Sequence, residues 1–380
     1  MPRGSQKALA QLAIFLTVLC LIIFFNRPRT SNKTFAWTTI RYKSSTAEQY
    51  TRRGICPGLK QITKPVLVVS GVDADGSPDW LDNLSDLYHL CVYDVDARTN
   101  SESDTLRVPA NRGHEAMAYL TFIVDNYDDI PAEGAVFVHG SRFAWHNDDP
   151  NYDNRVLLMN LNVSAALAPV GYHNMRCDWS ASTCEPSTKP QGSFETSMHA
   201  TTEPWDARAV SDSLMPRALA VLFGDDGSTL LEHQRVFLGG RDTFRSQCCA
   251  QFVVSRDNIW RHARYEYVAL RQWLLDGSQG ADGQKQSVKI NAAPLDDKVA
   301  GRMLSYMWHL LFLSGSAITD TGDGIDLQQL NSLACPSAEE CYCRLYGRCD
   351  LTCTSADRCH GVYSIPPKYK LPENWASSHP

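Results

Sequence analysis

A strand–helix–strand pattern in the first half of the chain limits the possible folds more than any other feature. Residues 90–96 (LCVYDVD) and 135–140 (AVFVHG) are short apolar runs of the kind that form buried strands. Between them, apolar residues recur at helical spacing from Ala116 to Tyr127, and Pro131 ends the pattern. A strand, a helix and a second strand in this order predict a layered α/β domain with a mainly parallel central sheet flanked by helices.

The rest of the chain continues this alternation. Residues 65–70 (PVLVVS) predict an earlier strand. The other predicted elements are helices at 216–224, 265–275 and 299–313 and a strand at 249–255. Residues 184–204, rich in Pro, Ser and Thr, and the Gly- and Gln-rich residues 277–286 are expected to be loops. We therefore expect one α/β domain over residues 61–334.

An apolar run at residues 8–25 predicts a membrane anchor. Only Gln11 and Thr17 interrupt it, and its length approaches the roughly 20 residues that span a bilayer. A small-x-small cleavage pattern does not follow the run, which favours an uncleaved signal anchor over a cleaved signal peptide. In this single-pass type II arrangement, residues 1–7 are a cytoplasmic tail. Residues 26–60, which are polar and without periodicity, are expected to form a stem.

Cysteines and glycosylation sequons favour a lumenal location for the rest of the chain. Twelve of the 13 cysteines follow the apolar run, and six of these lie between residues 335 and 359. In an oxidising compartment this density predicts disulfides, so residues 335–380 are expected to form a Cys-rich C-terminal segment. Acceptor sequons for N-glycans begin at Asn32, Asn83 and Asn162.

Four further cysteines lie close to one another in sequence. Cys177 and Cys184 are near enough to close the base of the Pro/Ser/Thr-rich loop. Cys248 and Cys249 are neighbours, and adjacent cysteines do not readily bridge each other. Each is therefore expected to have a distant partner or to remain a buried thiol. No His partner for a nucleophilic cysteine is identifiable, so such a nucleophile is not expected.

The main candidate site follows the strand at 135–140, because ligands of open α/β sheets bind beyond the carboxyl ends of the strands. Four side chains in this stretch are candidate catalytic groups: His139, His146, Asp148 and Asp149. The two aspartates are also candidate ligands of a divalent metal, and Arg142 is a candidate for binding a phosphate. The alternative is that Asn147 and the two aspartates only cap a turn before Pro150.

Three other positions are weaker candidates. Glu115, in the first turn of the predicted helix, is a candidate catalytic residue, although a carboxylate there also stabilises the helix dipole. Asp94 and Asp96 form an Asp-x-Asp pair, which can hold Mg or Mn against a diphosphate but is more commonly solvated. Arg241 and Arg245 follow a glycine pair and could bind a phosphate, with an ordinary surface loop as the alternative.

Seven segments, taken in order, resemble the mainly fungal, uncharacterised family catalogued as domain of unknown function three-four-three-one. They are NRGHEAMAYLTFIVDNYDDIP, VFVHGSRFAWHNDDPNYD, GYHNMRC, CCAQFVVSRDNI, YVALRQWLLD, SYMWHLLF and CPSAEECYCRLYGRC. These segments lie between residues 111 and 349, and the resemblance as a whole runs from about Val66 to Cys349. Members of that family carry an Arg-Tyr-Asn-Glu-like run where this chain has residues 70–73, and often Arg in place of His114. The family has no established activity, so the resemblance implies no reaction.

The order of elements is also similar to that of GT-A type glycosyltransferases, which use nucleotide sugars. In those enzymes a strand end carries a metal-binding Asp-x-Asp, and the corresponding position here is His139-Gly140-Ser141. The acidic pair is therefore missing. Three alternatives follow: other residues hold the metal, Asp148 and Asp149 being the nearest; His139 replaces it; or the domain has a different function.

Together these features favour a membrane-anchored, glycosyltransferase-like enzyme of the Golgi or ER lumen. Its expected partners are a nucleotide sugar and a glycan or small-molecule acceptor, with Mn or Mg as the candidate cofactor. The alternatives are a non-catalytic secretory or cell-surface binding protein and a tailoring enzyme for a small secreted metabolite. A net charge of -6 gives no electrostatic basis for binding nucleic acid.

Overall fold

The computed structural model of the chain describes residues 3–26, 34–35, 39–43, 54–96, 106–224, 243–278, 291–313 and 325–379. Helix α1 (Arg3–Asn26) contains the apolar run. Its segment Lys7–Phe24 has a mean hydropathy of 2.3, is long enough to cross a membrane, and is not buried in the protein. An N-terminal helix of this kind is either a membrane anchor or a signal sequence.

Eight short strands are present in the described part of the chain. They are β1 (Thr34–Phe35), β2 (Val66–Gly71), β3 (His89–Asp94), β4 (Leu106–Arg107), β5 (Ala135–His139), β6 (Tyr172–Asn174), β7 (Phe252–Val254) and β8 (Ile325–Asp326). β1 and β8 form a separate antiparallel ribbon. The other six form one sheet in the order β4-β3-β2-β5-β7-β6. In it, β2 pairs in parallel with β3 and β5, and β3 pairs in parallel with β4.

The sheet is mixed, and the prediction of a mainly parallel sheet is wrong. The difference arises at β7, which runs antiparallel to both β5 and β6, with Phe137 opposite Phe252. The apolar run of β7 predicts a buried strand correctly, but buried strands of either direction have continuous apolar runs. Strand direction depends on the path of the chain between β6 and β7, which the local pattern does not encode.

Helices cover both faces of the sheet. Those that follow α1 are α2 (Ala116–Asp125), α3 (Asn154–Asn160), α4 (Val163–Leu167), α5 (Phe194–Thr202), α6 (Ala207–Phe223), α7 (Arg256–Ile259), α8 (Arg264–Asp276), α9 (Asp297–Ser305), α10 (Trp308–Phe312), α11 (Leu327–Ala334), α12 (Ala338–Tyr346) and α13 (Trp375–Ser378). Buried residues of α2, α6, α8, α9 and α10 pack on one face, and those of α3, α4 and α12 pack on the other. The architecture is thus a three-layer α/β/α arrangement.

Alternation along β5 decides which layer each side chain meets. Phe137 contributes to the core beneath α2, whereas Val136 and Val138 contribute to the core on the opposite face. Side chains on a strand alternate between faces, so His139, two residues after Phe137, lies on the same face as α2. This position determines the surroundings of the candidate site.

The Cys-rich C-terminal segment covers one face of the sheet. Cys341, Tyr342 and Leu345 of α12 are fully buried in the core that contains Val136 and Val138. Disulfides Cys177–Cys341 and Cys184–Cys335 connect the segment to the rest of the domain. The remaining disulfides join Cys56 to Cys91, Cys343 to Cys349, Cys353 to Cys359 and Cys248 to Cys249.

Two expectations about cysteines are wrong. Cys177 and Cys184 do not bridge each other, because each pairs with a cysteine of the C-terminal segment more than 150 residues away. Cys248 and Cys249 do bridge each other. The backbone takes a tight turn there, with φ of 82° at Cys249 and 47° at Ala250, and this turn brings the adjacent side chains together.

Two predicted segments differ from the structure, and a third can be compared with it only at its start. The expected loop at 184–204 contains α5, which begins because the Ser193 side chain accepts a hydrogen bond from the Thr196 amide at 3.2 Å. The helix predicted at 299–313 is two helices, since α9 ends at Ser305 and α10 starts at Trp308. The expected loop at 277–286 lies largely outside the described residues.

The described parts of the predicted stem lie against the body. Residues 39–43 and 54–60 both make buried contacts with helices of the α2 layer. The Ile40 amide donates to Glu266 Oε2 at 2.7 Å, and the Gly54 amide donates to Asp125 Oδ2 at 2.9 Å. The described parts of the chain between α1 and β2 are therefore built into the domain.

Replacement of Cys177 and Cys341 together by Ala should destabilise the protein more than replacement of Cys353 and Cys359. The first bridge closes a sequence separation of 164 residues and the second one of 6. Because Cys184–Cys335 remains in the first variant and already links the same two regions, loop-closure entropy gives a loss of about 3 kcal/mol there against about 2 kcal/mol for the second variant. Urea unfolding of the two variants beside the parent protein measures the difference. Equal losses would show that the long-range bridge does not restrict the unfolded chain as argued.

Candidate functional site

The candidate site lies at the carboxyl edge of the sheet, where the strand order reverses. The chain passes from β2 outward to β3 and β4, then returns through α2 to β5 on the other side of β2. The ends of β2 and β5 are neighbours, with Ser70 opposite His139. In open α/β sheets this reversal point is where ligands bind.

Asp75 closes the gap between the ends of β2 and β5. Its carboxylate accepts hydrogen bonds from the Ser141 hydroxyl and, at 3.0 Å, from the Val72 amide. Gly140 makes this approach possible. A Cβ at Gly140 would lie 2.7 Å from both an Asp75 carboxylate oxygen and the Gly71 Cα. A residue with a side chain would therefore separate the two strand ends.

His139 is a buried imidazole whose tautomer is fixed by Asn147. The Nε2 of His139 lies 2.9 Å from Asn147 Oδ1. The amide group of Asn147 donates through Nδ2 to the carbonyls of Arg142 and Tyr152, both at 2.9 Å, so Oδ1 is the acceptor. It follows that Nε2 carries the proton and Nδ1 has the free lone pair. Among the described residues, His139 Nδ1 has no hydrogen-bond partner.

The charges around His139 are mainly negative, yet the imidazole is neutral at physiological pH. Burial lowers the pKa of His139, and the nearby carboxylates of Glu115 and Asp75 and the hydrogen bond to Asn147 oppose this shift without reversing it. Glu115 directly precedes α2, at the N-terminus of that helix. A neutral imidazole near two carboxylates can accept a proton from a bound hydroxyl group.

His146 joins His139 in the same cluster. The two rings meet edge to face with centroids 4.5 Å apart, and Trp145 packs against the other side of His146 at 5.1 Å. Burial, His139 and Arg176 together hold the pKa of His146 well below its usual value. The structure thus brings together three of the five predicted catalytic residues: His139, His146 and Glu115.

Asp148 and Asp149 are occupied within the fold. The Asp148 carboxylate accepts from the amides of Cys177 and Asp178, at 2.7 and 2.9 Å, and from the Tyr342 hydroxyl. Asp149 accepts from the Asn151 amide at 2.9 Å, and burial raises its pKa. The turn-capping alternative therefore describes Asp149, and Asp148 connects its loop to the C-terminal layer.

The predicted phosphate-binding arginines do not converge on the carboxyl edge. Arg142 forms a two-pronged ion pair with Asp153, with Nη2 2.9 Å from Oδ2. Arg245 donates to the backbone carbonyls of residues 183–186. Arg241 lies outside the described residues. Arg142 and Arg245 therefore stabilise loops of the fold through contacts with other described residues.

Within the described ranges, two groups of three side chains have donor atoms within 4.8 Å of one another, close enough to share a metal ion. One group is Cys56, His89 and Cys91, and the other is His199, Glu203 and Asp206. In the first group the sulfurs form a disulfide. Neither group contains Asp148, Asp149 or a residue of the carboxyl edge. A metal at Asp148 and Asp149 remains a prediction that their hydrogen bonds do not favour.

The Asp-x-Asp pair at the end of β3 has structural partners. Asp96 accepts from the Asn111 side chain at 2.6 Å and from the Asp73 amide at 3.1 Å, and Asp94 accepts from the Asp96 amide at 3.1 Å. These bonds connect the loops that follow β2 and β3. The pair therefore supports the edge of the site from the side.

Sequence reasoning missed Asp75 and treated Asn147 only as a turn cap. Asp75 lies in a turn-rich run, VDADGSP, where an acidic residue has an ordinary explanation. The Asn147 amide also accepts from Gln251 Nε2 at 3.2 Å, across more than 100 residues of sequence. The available signal was the position of each residue a few places after a strand of the predicted sheet.

Of the three sequons, Asn83 and Asn162 are exposed on the surface. Asn162 begins α4, and its Oδ1 accepts from the Ala165 amide at 3.0 Å. Asn32 lies outside the described residues. The two exposed asparagines have the accessibility that glycosylation requires.

Comparison with known proteins identifies a family and no activity. A family model described as "Protein of unknown function (DUF3431)" matches residues 67–344. No curated protein and no solved structure matches the chain.

Substitution of Gly140 by Ala should destabilise the protein by about 1–3 kcal/mol, the usual cost of overpacking. The new Cβ meets the Gly71 backbone, which cannot rotate away. Gly71→Ala is the matched control, because a Cβ there has only an ordinary 3.6 Å contact with the Tyr93 carbonyl. Thermal unfolding of both variants tests the close approach of β2 and β5. A Gly140→Ala protein as stable as Gly71→Ala would contradict it.

Buried histidines should make the fold sensitive to acid. Burial lowers the pKa of His309 to about 3 and of His173 to about 4, from an ordinary value near 6.5. The unfolded chain then binds more protons, so the unfolding free energy is constant above about pH 6.5 and falls as the pH drops below it. Each histidine contributes about 1.4 kcal/mol per pH unit to this fall.

The unfolding free energy of the parent protein falls between pH 7.5 and pH 5.0. We expect this fall to be roughly 2 kcal/mol smaller in His309→Met, because the substitution removes one buried imidazole. Urea midpoints at the two pH values provide the measurement. His360→Gln is the control, because this imidazole is exposed to water in the folded protein. An unchanged pH dependence in His309→Met would mean that His309 is protonated in the fold.

Proposed function

This chain belongs to the DUF3431 family of proteins of unknown function, and we propose that it is a membrane-anchored, lumenal enzyme that transfers a sugar from a nucleotide sugar. The proposed active centre is the carboxyl edge between β2 and β5. His139, Glu115 and Asp75 are its main side chains, with His146 beside them.

The observation that carries the proposal is the state of His139. Its Nε2 donates to Asn147, its Nδ1 lone pair is not used by any described residue, and burial keeps the ring neutral. Transfer of a sugar to a hydroxyl requires a base that takes the hydroxyl proton as the new bond forms. A neutral imidazole of fixed tautomer at the reversal point of the strand order has the chemistry and the location for that task.

The N-terminus of α2 favours a phosphate-bearing donor at this edge, whereas the carboxylates of Glu115 and Asp75 oppose an anion there. Glu115 begins α2, whose N-terminus points to the carboxyl edge, and helix N-termini attract phosphate groups through their free amides. The order of elements is similar to that of GT-A type glycosyltransferases. A departure from that type is that the sequence carries His139-Gly140-Ser141 at the strand end where an Asp-x-Asp is expected.

The residues of this edge do not form a preassembled three-ligand metal site. Both oxygens of Asp75 accept hydrogen bonds, and Glu115 and His139 do not belong to a compact ligand group. Mn or Mg as cofactor therefore stays a prediction, and the proposed proton transfer uses only side chains of the chain. Experiments should include arms with and without Mn.

Location in the secretory pathway has independent support. The apolar helix α1 fits a single N-terminal anchor, and six disulfides fit an oxidising lumen. Exposed Asn83 and Asn162 fit lumenal N-glycosylation. We propose a type II orientation in the Golgi or ER, with α1 retained as the anchor.

We expect His139→Gln to bind the donor but to transfer sugar about 10²–10⁴ times more slowly than the parent protein. The Gln side chain keeps a donor near the position of Nε2, so Asn147 retains its partner while the basic nitrogen is lost. Full-length protein in detergent is incubated with nucleotide sugars of the uridine, guanosine and cytidine classes. Nucleotide release and donor-dependent thermal stabilisation are measured together.

Two results would contradict the proposal. Thermal stabilisation by none of the donors, with or without Mn, would exclude a nucleotide-sugar site. Stabilisation without turnover in the parent protein would instead indicate the non-catalytic binding protein that the sequence leaves open. His360→Gln is the matched histidine control, and its nucleotide release should equal that of the parent protein.

A further inference from the structure

Helix α5 and the turn after it present large apolar side chains to solvent. Phe194 is 62% exposed, Met198 is 51% exposed, and Trp205 is 78% exposed, more than any other large apolar residue of the described chain. Phe194 and Met198 are four residues apart on α5 and so lie on one face of the helix. We call these three residues the α5 patch. Phe194 and Met198 form one apolar face, and Trp205 follows the end of the helix by three residues. Exposed apolar groups near one another in this way mark surfaces for a partner.

The location of α5 identifies what that partner is. α5 packs against the anchor helix α1. Within Lys7–Phe24, Ile22 is the one residue that is partly covered, and it lies near the end of α1 that continues into the body. The contact therefore places α5 where α1 leaves the bilayer. A retained anchor keeps a lipid surface next to this helix permanently.

The composition of α5 indicates which lipid surface fits. Around the patch three acidic residues, Glu195, Glu203 and Asp206, outnumber two permanent cations, Lys189 and Arg208. Lys189 pairs with Glu195, and His199 lies 3.5 Å from Glu203. Helices that bind anionic membranes carry Lys and Arg on the polar face. An acidic flank with Phe, Met and Trp instead fits a zwitterionic surface, where Trp favours the headgroup region.

We propose that the α5 patch docks on the zwitterionic leaflet next to the anchor and so fixes the orientation of the body against the membrane. Phe194, Met198 and Trp205 insert their side chains at the boundary of the headgroups and the acyl chains. The inference rests on the retention of α1, which is part of the proposed function. It does not depend on the reaction at the carboxyl edge.

The test uses full-length protein in phosphatidylcholine nanodiscs, with intact mass confirming that residue 1 is present. Brominated phosphatidylcholine quenches tryptophan fluorescence only for indoles near the acyl chains. We expect Trp205→Phe to lose at least half of the quenching seen in the parent protein. Trp260→Phe is the matched control, because Trp260 is also exposed, at 41%, but lies outside the patch.

A second pair of variants separates docking from a local effect at Trp205. The double variant Phe194→Ser with Met198→Ser should reduce quenching as strongly as Trp205→Phe, although it retains Trp205. Leu87→Ser with Met159→Ser changes an equally exposed apolar pair elsewhere, 47% and 54% exposed, and should leave quenching unaltered. Equal quenching in Trp205→Phe and the parent protein, or equal losses in the patch variants and their controls, would overturn the proposal.

The same measurement distinguishes this inference from the proposed function. Quenching that depends on Trp205 in a protein that lacks nucleotide-sugar turnover would retain the docking surface and reject the enzyme. If the protein isolated from membranes lacked residues 1–26, the anchor would be cleaved and the docking proposal would fail with it. Nucleotide release by that shortened protein would still support the reaction at His139.

Discussion

The parallel pairing of β2 with β5 is the constraint on which the rest of the structure depends. It sets two chain exits side by side although 69 residues of sequence separate the paired Ser70 and His139. The exits meet closely only because Gly140 has no side chain, so that the Asp75 carboxylate reaches Ser141 and the Val72 amide. The position of His139 follows from this pairing, since the last residue of β5 must lie on the face that α2 covers.

Asn147 links this strand pairing to the protonation of His139. Its side chain joins the strand end at His139, the loop carbonyls of Arg142 and Tyr152, and Gln251 at the start of β7. One amide thus determines which nitrogen of the imidazole bears the proton. Most other polar groups of the same loop serve the fold, as the bonds of Asp148 to Cys177 and Tyr342 show. The chemistry of the loop is concentrated in the histidines, whereas the acidic residues maintain its shape.

Much of this fold follows from local patterns, and the remainder depends on contacts distant in sequence. Continuous apolar runs predict β2, β3 and β5, and helical spacing predicts α2, because burial of one face is a property of the segment itself. The direction of β7 and the partners of Cys177 and Cys184 depend on where the chain returns, which no short pattern records. For the site, a residue after a strand end could be found, as His139 was. Asp75 offers the same signal, a position shortly after β2, but an acidic residue in a turn also has an ordinary explanation, so the signal does not single it out.

The C-terminal layer has a consequence for how the protein is made. α12 covers one face of the central sheet and is held there through Cys341, which pairs with Cys177. In the proposed type II topology the residues after α1 enter the lumen in chain order, so β2 and β5 are delivered long before α12. Until α12 has crossed the membrane, the part of the apolar face that it shields has no native cover, and Cys177 has no native partner. Lumenal chaperones and disulfide isomerases are therefore expected to hold the nascent chain during this interval.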